Sequence, residues 1–429
     1  MNIKELKNYI AEGGLDGILR DQCAICPDSA REKYLSLCHS FEARFGGERE
    51  VYLLSVGGRT EVSGNHTDHN KGKVMAAAVN LELVAVAAKR DDGVVCVKSE
   101  GFPEDVVPAE HWEFPDESRY FTSHSLIAGM ENAFALRGLA TGGFDAYTIS
   151  SVMKGSGLSS SAAFEVMIGN ILNHLYNDGK VDNVEIAKMA QFAENVFFGK
   201  HCGLMDQMAC AVGGFIAIDF EDTSAPLIRK LDFDLGKAGY ALCIINTGGN
   251  HADLNEDYAS VPAEMKKVAR LLGCEVLRQT TKEKLIRSAA LVRREAGDRA
   301  FLRALHFLSE NERVDKISCA LEAGDIEGFL SGIKASGDSS YKYLQNVYTT
   351  KNVSEQGLSL ALALTEDYFA DKSVKAGWRV HGGGFAGTVQ VFLPDGEKSA
   401  YVEYMENIFG EGSCHLLSVR GAGAICPVK

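Results

Sequence analysis

The sequence predicts an α+β protein of two domains. Three observations lead there. At 429 residues the chain is long enough for two domains of ordinary size. Its strand-like and helix-like segments are mixed, without the strict alternation of a doubly wound parallel sheet. A polar, turn-rich stretch, Glu221 to Gly239, divides the chain near its middle. The expected parts are an N-terminal extension over 1–40, a first domain over 41–230 and a second over 231–429.

The elements follow from local pattern. Residues 1–48 read as helix, loop and helix; Ala30 to Phe45 is amphipathic and Gly46-Gly47 ends it. Val51 to Ser55 is a strand. The Val- and Ala-rich run Val74 to Ala88 is another. It closes at the turn Asp91-Asp92-Gly93, with Val94 to Ser99 as its hairpin partner. Thr122 to Leu136 reads as a helix ended by Gly138, and Phe144 to Ser150 as a strand. A helix follows over Phe164 to Tyr176, and another over Val184 to Phe198, where apolar residues keep helical spacing. Gly213 to Phe220 is a strand. The second half opens with strand Tyr240 to Asn246. Helices follow at Leu254–Leu272, Lys282–Arg294, Asp298–Ser309, Arg313–Ala323, Ile326–Ala335 and Ser354–Phe369. It closes with strand Thr388–Leu393, helix Lys398–Phe409 and strand Leu416–Val419.

Composition narrows the function. A formal charge of −14 with no basic run argues against nucleic-acid binding or docking on anionic lipid. No apolar run approaches the length of a membrane span. The first residues lack the apolar core of a signal peptide. Eleven scattered cysteines then read as thiols in a reducing cytoplasm. Cys23 and Cys26 form one C-x-x-C, but no second pair follows at zinc spacing.

Three segments carry chemistry. In the first, Gly155, Ser156, Gly157, Leu158, Ser159, Ser160 and Ser161 run into a helix start. Glycine lets the backbone turn tightly and bring its N–H groups close to a ligand. The helix start adds unpaired N–H groups and a positive dipole end. Together they suit a phosphate, and the serine hydroxyls suit phosphate or Mg²⁺. No G-x-x-x-x-G-K-[ST] occurs, so this is not a P-loop. In the second, Gly58 to Gly72 packs Arg59, Glu61, Asn65, His66, Asp68 and His69 into what reads as one connection between strands. Such density suits a site that reads several sugar hydroxyls, each of which donates and accepts. The third runs from Glu194 to Gln207. Glu194 and Asp206 near a phosphate loop suggest two jobs: one carboxylate holds Mg²⁺ and the other faces the accepting hydroxyl. Gly382 to Gly387 matches G-x-G-x-x-G literally. An extended Val389 to Leu393 follows it where a dinucleotide fold needs a helix.

Taken together these segments resemble the GHMP small-molecule kinases. Gly58 to Gly72 follows the family's first signature, approximately G-R-V-N-L-I-G-E-H-T-D-Y-N-x-G. Gly155 to Ala162 matches G-x-G-L-S-S-S-A in full. Gly203 to Gln207 is similar to G-I-M-D-Q, and Glu194 stands twelve residues before Asp206, as the family's metal-binding Glu does. Gly382 to Gly387 is similar to the third motif, and Tyr258 to a later sugar-contacting Tyr. Arg303 to His306 and Glu310-x-x-Arg313 fit as well.

The resemblance implies a ribosomal-S5-like first domain and a ferredoxin-like second one. It implies ATP and Mg²⁺ and a small sugar as partners. The implied reaction is ATP-dependent phosphorylation of galactose at its anomeric hydroxyl. Gly155 to Ser161 would hold the ATP phosphates, and Ser160 or Ser161 with Glu194 would hold Mg²⁺. Asp206 would accept or orient the hydroxyl proton, with Arg59 beside it. Asn65, His66, Asp68, Gly203 and Tyr258 would contact the sugar. The chain departs from the galactose-specific pattern at Asn65, where Glu is usual and is expected to meet the 6-hydroxyl. His69 replaces a Tyr, and His381 and Ala386 alter the third motif. A 1-kinase for another sugar, or a sensor that binds ATP and sugar without chemistry, is the alternative these departures leave open.

Overall fold

The computed structural model describes residues 1–108, 115–152, 158–200, 202–249 and 254–429. Its strands are β1 Tyr52–Ser63, β2 Lys73–Lys89, β3 Val94–Ser99, β4 Glu104–Pro108, β5 Phe144–Ser150, β6 Phe215–Asp219, β7 Leu227–Leu231, β8 Tyr240–Asn246, β9 Gly377–His381, β10 Thr388–Pro394, β11 Cys414–Leu417 and β12 Ile425–Val428. The first sheet has the order β12-β1-β2-β5-β3-β4, with β6 beside β2 and β7 beside β6. The second has the order β11-β8-β10-β9. Its chain order is strand, helices, two strands, helix Lys398–Phe409, strand, which is the ferredoxin-like arrangement.

β2 organises the first sheet. It is apolar almost throughout because both of its faces are covered. Successive side chains on a strand point to opposite faces. Leu83, Ala85 and Ala87 pack with helices Ser123–Ala135, Ser160–Tyr176 and Asn183–Phe192. Val84, Val86 and Ala88 pack with Tyr34, Leu37 and Phe41 of helix Pro27–Phe45, and with Ile3, Leu6 and Ile10 of helix Ile3–Ala11. The N-terminal residues therefore roof one face of the sheet.

Several elements differ from expectation. β3 does not form a hairpin with β2; it runs parallel to β5 and antiparallel to β4. Asp298 to Glu322 is one helix of 25 residues, not two. β1 continues through Ser63, so Arg59 and Glu61 lie on a strand and not in a connection. β7 falls inside the polar segment at the expected boundary. It is an exposed edge strand, and its apolar residues Leu227, Ile228 and Leu231 do not alternate with polar ones. β12 returns to the first sheet at its edge, where Pro427 is tolerated. Cys23 is buried and Cys26 exposed, both as free thiols. Among the described residues no helix is long and apolar enough to cross a membrane.

One buried acid stands apart from the rest of the core. Glu131, on helix Ser123–Ala135, is 1% exposed and has no cationic partner among the described residues. Burial pushes its carboxyl up to about 8, against a smaller lowering by Thr141. Unfolded, it titrates near 4.5. Between those values the native state holds the extra proton, so stability falls as pH rises, by about 1.4 kcal/mol per unit. Above the folded value the fall stops. Glu131→Gln is expected to remove this slope in urea-unfolding free energies measured across the same window.

Candidate active site

The site forms where β1 meets the starts of two helices. Gly58 lies against the end of the glycine-rich segment: a Cβ there would stand 3.0 Å from the Leu158 carbonyl oxygen. The Arg59 backbone N–H donates to that same oxygen at 3.2 Å. The strand thereby carries Arg59 into position. Its Nε and Nη2 donate to Oδ1 and Oδ2 of Asp206, each at 2.7 Å. This two-pronged contact is the strong form of an arginine–carboxylate pair. Asp206 lies in the first turn of helix Met205–Val212, where the dipole favours a carboxylate. Its side chain is 31% exposed, so it faces the cleft, while that of Arg59 is 9% exposed.

Ser159 completes the group. It precedes helix Ser160–Tyr176 with φ +55°, a left-handed conformation that is costly outside glycine. Its hydroxyl does not cap the helix; it donates to Asp206 Oδ2. Burial alone would raise the Asp206 carboxyl. The Arg59 charge and hydrogen bonds, with Ser159, overcome this and hold it below its ordinary value. Asp206 is therefore ionised at neutral pH.

Glu194 lies in a widened helical turn, where the Phe198 N–H reaches back to the Ala193 carbonyl at 3.0 Å. Such turns recur at functional sites. Gln207 Nε2 donates to Glu194 Oε2 at 2.6 Å and to Glu165 Oε2 at 3.1 Å. Lys200 Nζ donates to Glu194 Oε1 at 2.7 Å. Ser161 lies one helical turn before Glu165, on the same face.

Beside Met205 is a small polar cavity of about 150 Å³, lined by Glu61, Asn65, His66, Asp68, His69 and Gly383 among others. Gly203 lets Asp68 into it, because a Cβ at 203 would stand 2.5 Å from Asp68 Oδ2. His66 Nε2 meets the Gly383 carbonyl at 2.8 Å and must donate to it. Burial lowers the His66 pKa, so the ring is neutral and Nδ1 is left as an acceptor. Tyr258 donates its hydroxyl to the Gly384 carbonyl at 2.9 Å and packs edge-on against Phe385.

Asn65 borders this cavity with its side-chain amide already engaged within the protein. It is 1% exposed. Its amide donates to Glu61 Oε1 at 2.9 Å and to the Gly382 carbonyl at 2.8 Å. Its oxygen accepts from Asn346 at 2.8 Å and Ser340 at 3.3 Å. His306 Nε2, neutral because burial lowers its pKa to about 4, donates to the Asn65 carbonyl at 2.9 Å. All four hydrogen-bonding positions of the side-chain amide are taken. Asn65→Ala is expected to lower unfolding free energy by about 1–3 kcal/mol, because it orphans buried partners. Urea denaturation of the ligand-free protein checks this.

The structure thus joins Arg59, Asp206 and Ser159 in one group, sets Asn65, His66 and Asp68 around one cavity with Gly203 against Asp68, and places the Tyr258 hydroxyl on the Gly384 carbonyl. Ser160 and Ser161 open the helix beside them, and Leu158 is buried at the strand. Gly155, Ser156 and Gly157 lie outside the described residues. Sequence reading missed Glu165, Lys200, Asn346 and Arg379. Glu165 left a signal, an acid four residues after Ser161 on an apolar helix. Arg379 left none: its partner Glu61, at 2.9 Å, lies 318 residues away.

Comparison with known proteins supplies the family. The model of the GHMP kinases N-terminal domain matches residues 125–214, and the galactokinase galactose-binding signature matches residues 39–89. The chain is 31% identical over 375 residues to a galactokinase of Streptomyces coelicolor, covering 86% of this chain and 91% of that one. The chain belongs to the galactokinase family. A second family member, from Actinobacillus pleuropneumoniae, is 31% identical over 372 residues, covering 82% of this chain and 87% of that one. A solved Lactococcus lactis galactokinase, complexed with galactose, has a TM-score of 0.76 at 23% identity. It covers 91% of this chain and 99% of that one. A mevalonate kinase has a TM-score of 0.60 at 12% identity, covering 86% and 98%. These two likenesses bear on the fold.

Proposed function

We propose that the chain transfers the γ-phosphoryl group of ATP to the anomeric hydroxyl of galactose, giving galactose 1-phosphate and ADP. The observation that carries this reading is the two-pronged Arg59–Asp206 pair between the start of helix Ser160–Tyr176 and the polar cavity. N–H groups at that helix start, with Gly155 to Ser159 before it, bind the ATP phosphates. Asp206 receives the sugar hydroxyl as a hydrogen bond and takes its proton as the phosphoryl group moves across. Being held well ionised, it is a weak base, so its contribution is mainly orientation. Arg59 balances charge on the transferring group.

The donor set fits Mg²⁺. Glu194 is a hard oxygen ligand, 2% exposed, and Ser161 lies on the helix face of Glu165 beside it. Among the described residues no cluster of three or more His, Cys, Asp or Glu could hold a metal alone. Mg²⁺ is commonly held by one or two carboxylates together with substrate phosphates, and Glu194 with Ser161 would supply the protein's share. Bound there, Mg²⁺ would neutralise phosphate charge.

His66 Nδ1 and Asp68 face the sugar hydroxyls. The occupied amide of Asn65 favours a second reading, a 1-kinase that does not demand a 6-hydroxyl. A site with no group waiting for a hydroxyl discriminates weakly against its absence. ADP release from MgATP with galactose, fucose, arabinose or no sugar tests both. Turnover with galactose supports the first reading, and equal turnover with the 6-deoxy sugar the second. Sugar binding without ADP release would leave only a sensor.

A further inference from the structure

Glu194 has two oxygens and two partners of different character. Gln207 holds Oε2 from a position fully buried in the core. Lys200 holds Oε1 from a side chain that is 53% exposed. Behind Gln207 sits Glu165, fully buried, with Oε1 lacking any hydrogen-bond partner. Burial and the neighbouring Glu194 push the Glu165 carboxyl well above its ordinary value, so the Lys200 ammonium serves Glu194. That ammonium also lies near enough to Asp206 for each charge to favour the ionised state of the other. The Lys200 backbone is tied down by its N–H to the Glu194 carbonyl at 3.2 Å, so the side chain can swing while its root stays fixed.

We propose that Lys200 is a displaceable counter-ion: it holds Glu194 until a divalent cation takes that oxygen, then pairs with the phosphates the cation brings. This rests on the kinase reading and on Glu194 as a metal ligand. A cation at Glu194 repels an ammonium 2.7 Å from the same oxygen. Lysine suits the exchange, because its charge is a compact point on a long flexible stem. Gln207 keeps the carboxylate in place while the lysine leaves. Polyphosphate oxygens then offer charge-assisted hydrogen bonds in return.

The two halves of the proposal have opposite signs in one variant. Mn²⁺ binding to the full chain is measured by electron paramagnetic resonance, alone and with the non-hydrolysable analogue AMP-PNP. Lys200→Met is expected to bind free Mn²⁺ about fivefold more tightly, since a competing ion pair is removed. It is expected to bind Mn²⁺·AMP-PNP about fivefold more weakly, since a phosphate partner is lost. Lys200→Arg should restore both affinities towards wild type. Loss of structure would weaken both, so the opposed shifts separate a misfolded variant from a functional one. Any result other than opposed shifts overturns the proposal. Glu194→Gln serves as the reference: if it binds Mn²⁺ like wild type, the metal assignment itself fails. If it loses binding while Lys200→Met is unchanged, only the role of Lys200 fails.

Discussion

Asp206→Ala is expected to lower kcat by about 10²–10⁴-fold, the span for a positioned acid–base group. The size follows from how the carboxylate is held. Arg59 fixes both oxygens at 2.7 Å, and Ser159 donates to one of them. Removal takes away the acceptor for the sugar hydroxyl. It also leaves the 8% exposed Arg59 without its carboxylate partner. Asp206→Asn separates these effects, because it keeps the shape and removes the charge. Both variants should bind sugar, since His66, Asp68 and the cavity are untouched. The checks are steady-state kcat and KM, with sugar binding by calorimetry. Wild-type turnover in either variant would remove Asp206 from the chemistry. Because Asp206 is held below its ordinary value, the acid limb of kcat should not reflect its protonation until the pH falls below the ordinary aspartate range.

Glu82→Ala is expected to cost about 3–5 kcal/mol of stability, the usual penalty for breaking a buried ion pair from one side. Glu82 on β2 and Arg420 are both fully buried, with Nη1 and Oε2 at 3.0 Å. Glu82 Oε1 also accepts from Lys33 at 2.7 Å and Tyr34 at 2.9 Å. One carboxylate thus ties helix Pro27–Phe45, the first sheet and the C-terminal segment together. Burial alone would raise the Glu82 pKa, but Lys33 and Arg420 bring it below 4.5. The stabilisation is therefore fully present above the unfolded pKa and is lost as pH falls through the folded one. Urea unfolding at neutral and acid pH checks both points. Adding Arg420→Met to Glu82→Ala should recover part of the loss, because no unpaired charge then stays buried.

Most of the fold was legible where periodicity is strong. β2 and β5 and helices Ser160–Tyr176 and Lys398–Phe409 carry clear apolar patterns. β7 and β12 were not legible, because edge strands of five and four residues are too short to show an alternation. β3 was misassigned in pairing, because a parallel neighbour distant in sequence competes with the local hairpin. At the site, the placing of Arg59 beside Asp206 could be read, because each stands in a segment dense in polar residues and glycine; the Ser159 hydrogen bond to Asp206 could not. What could not be read was competition between motifs. The occupied amide of Asn65 depends on Ser340, Asn346 and Gly382, all in the other half of the chain. The ion pair between Lys200 and Glu194 depends on a widened turn that no residue type announces.

The central claim is phosphoryl transfer to the anomeric oxygen, and product identity tests it most directly. The protein would be incubated with MgATP and galactose labelled with ¹³C at carbon 1, and the product followed by ³¹P NMR. A new phosphate ester coupled to the labelled carbon, appearing in step with ADP, is the predicted result. An ester at another carbon, or free phosphate alone, would contradict the placement of Asp206 and Arg59 at the anomeric hydroxyl.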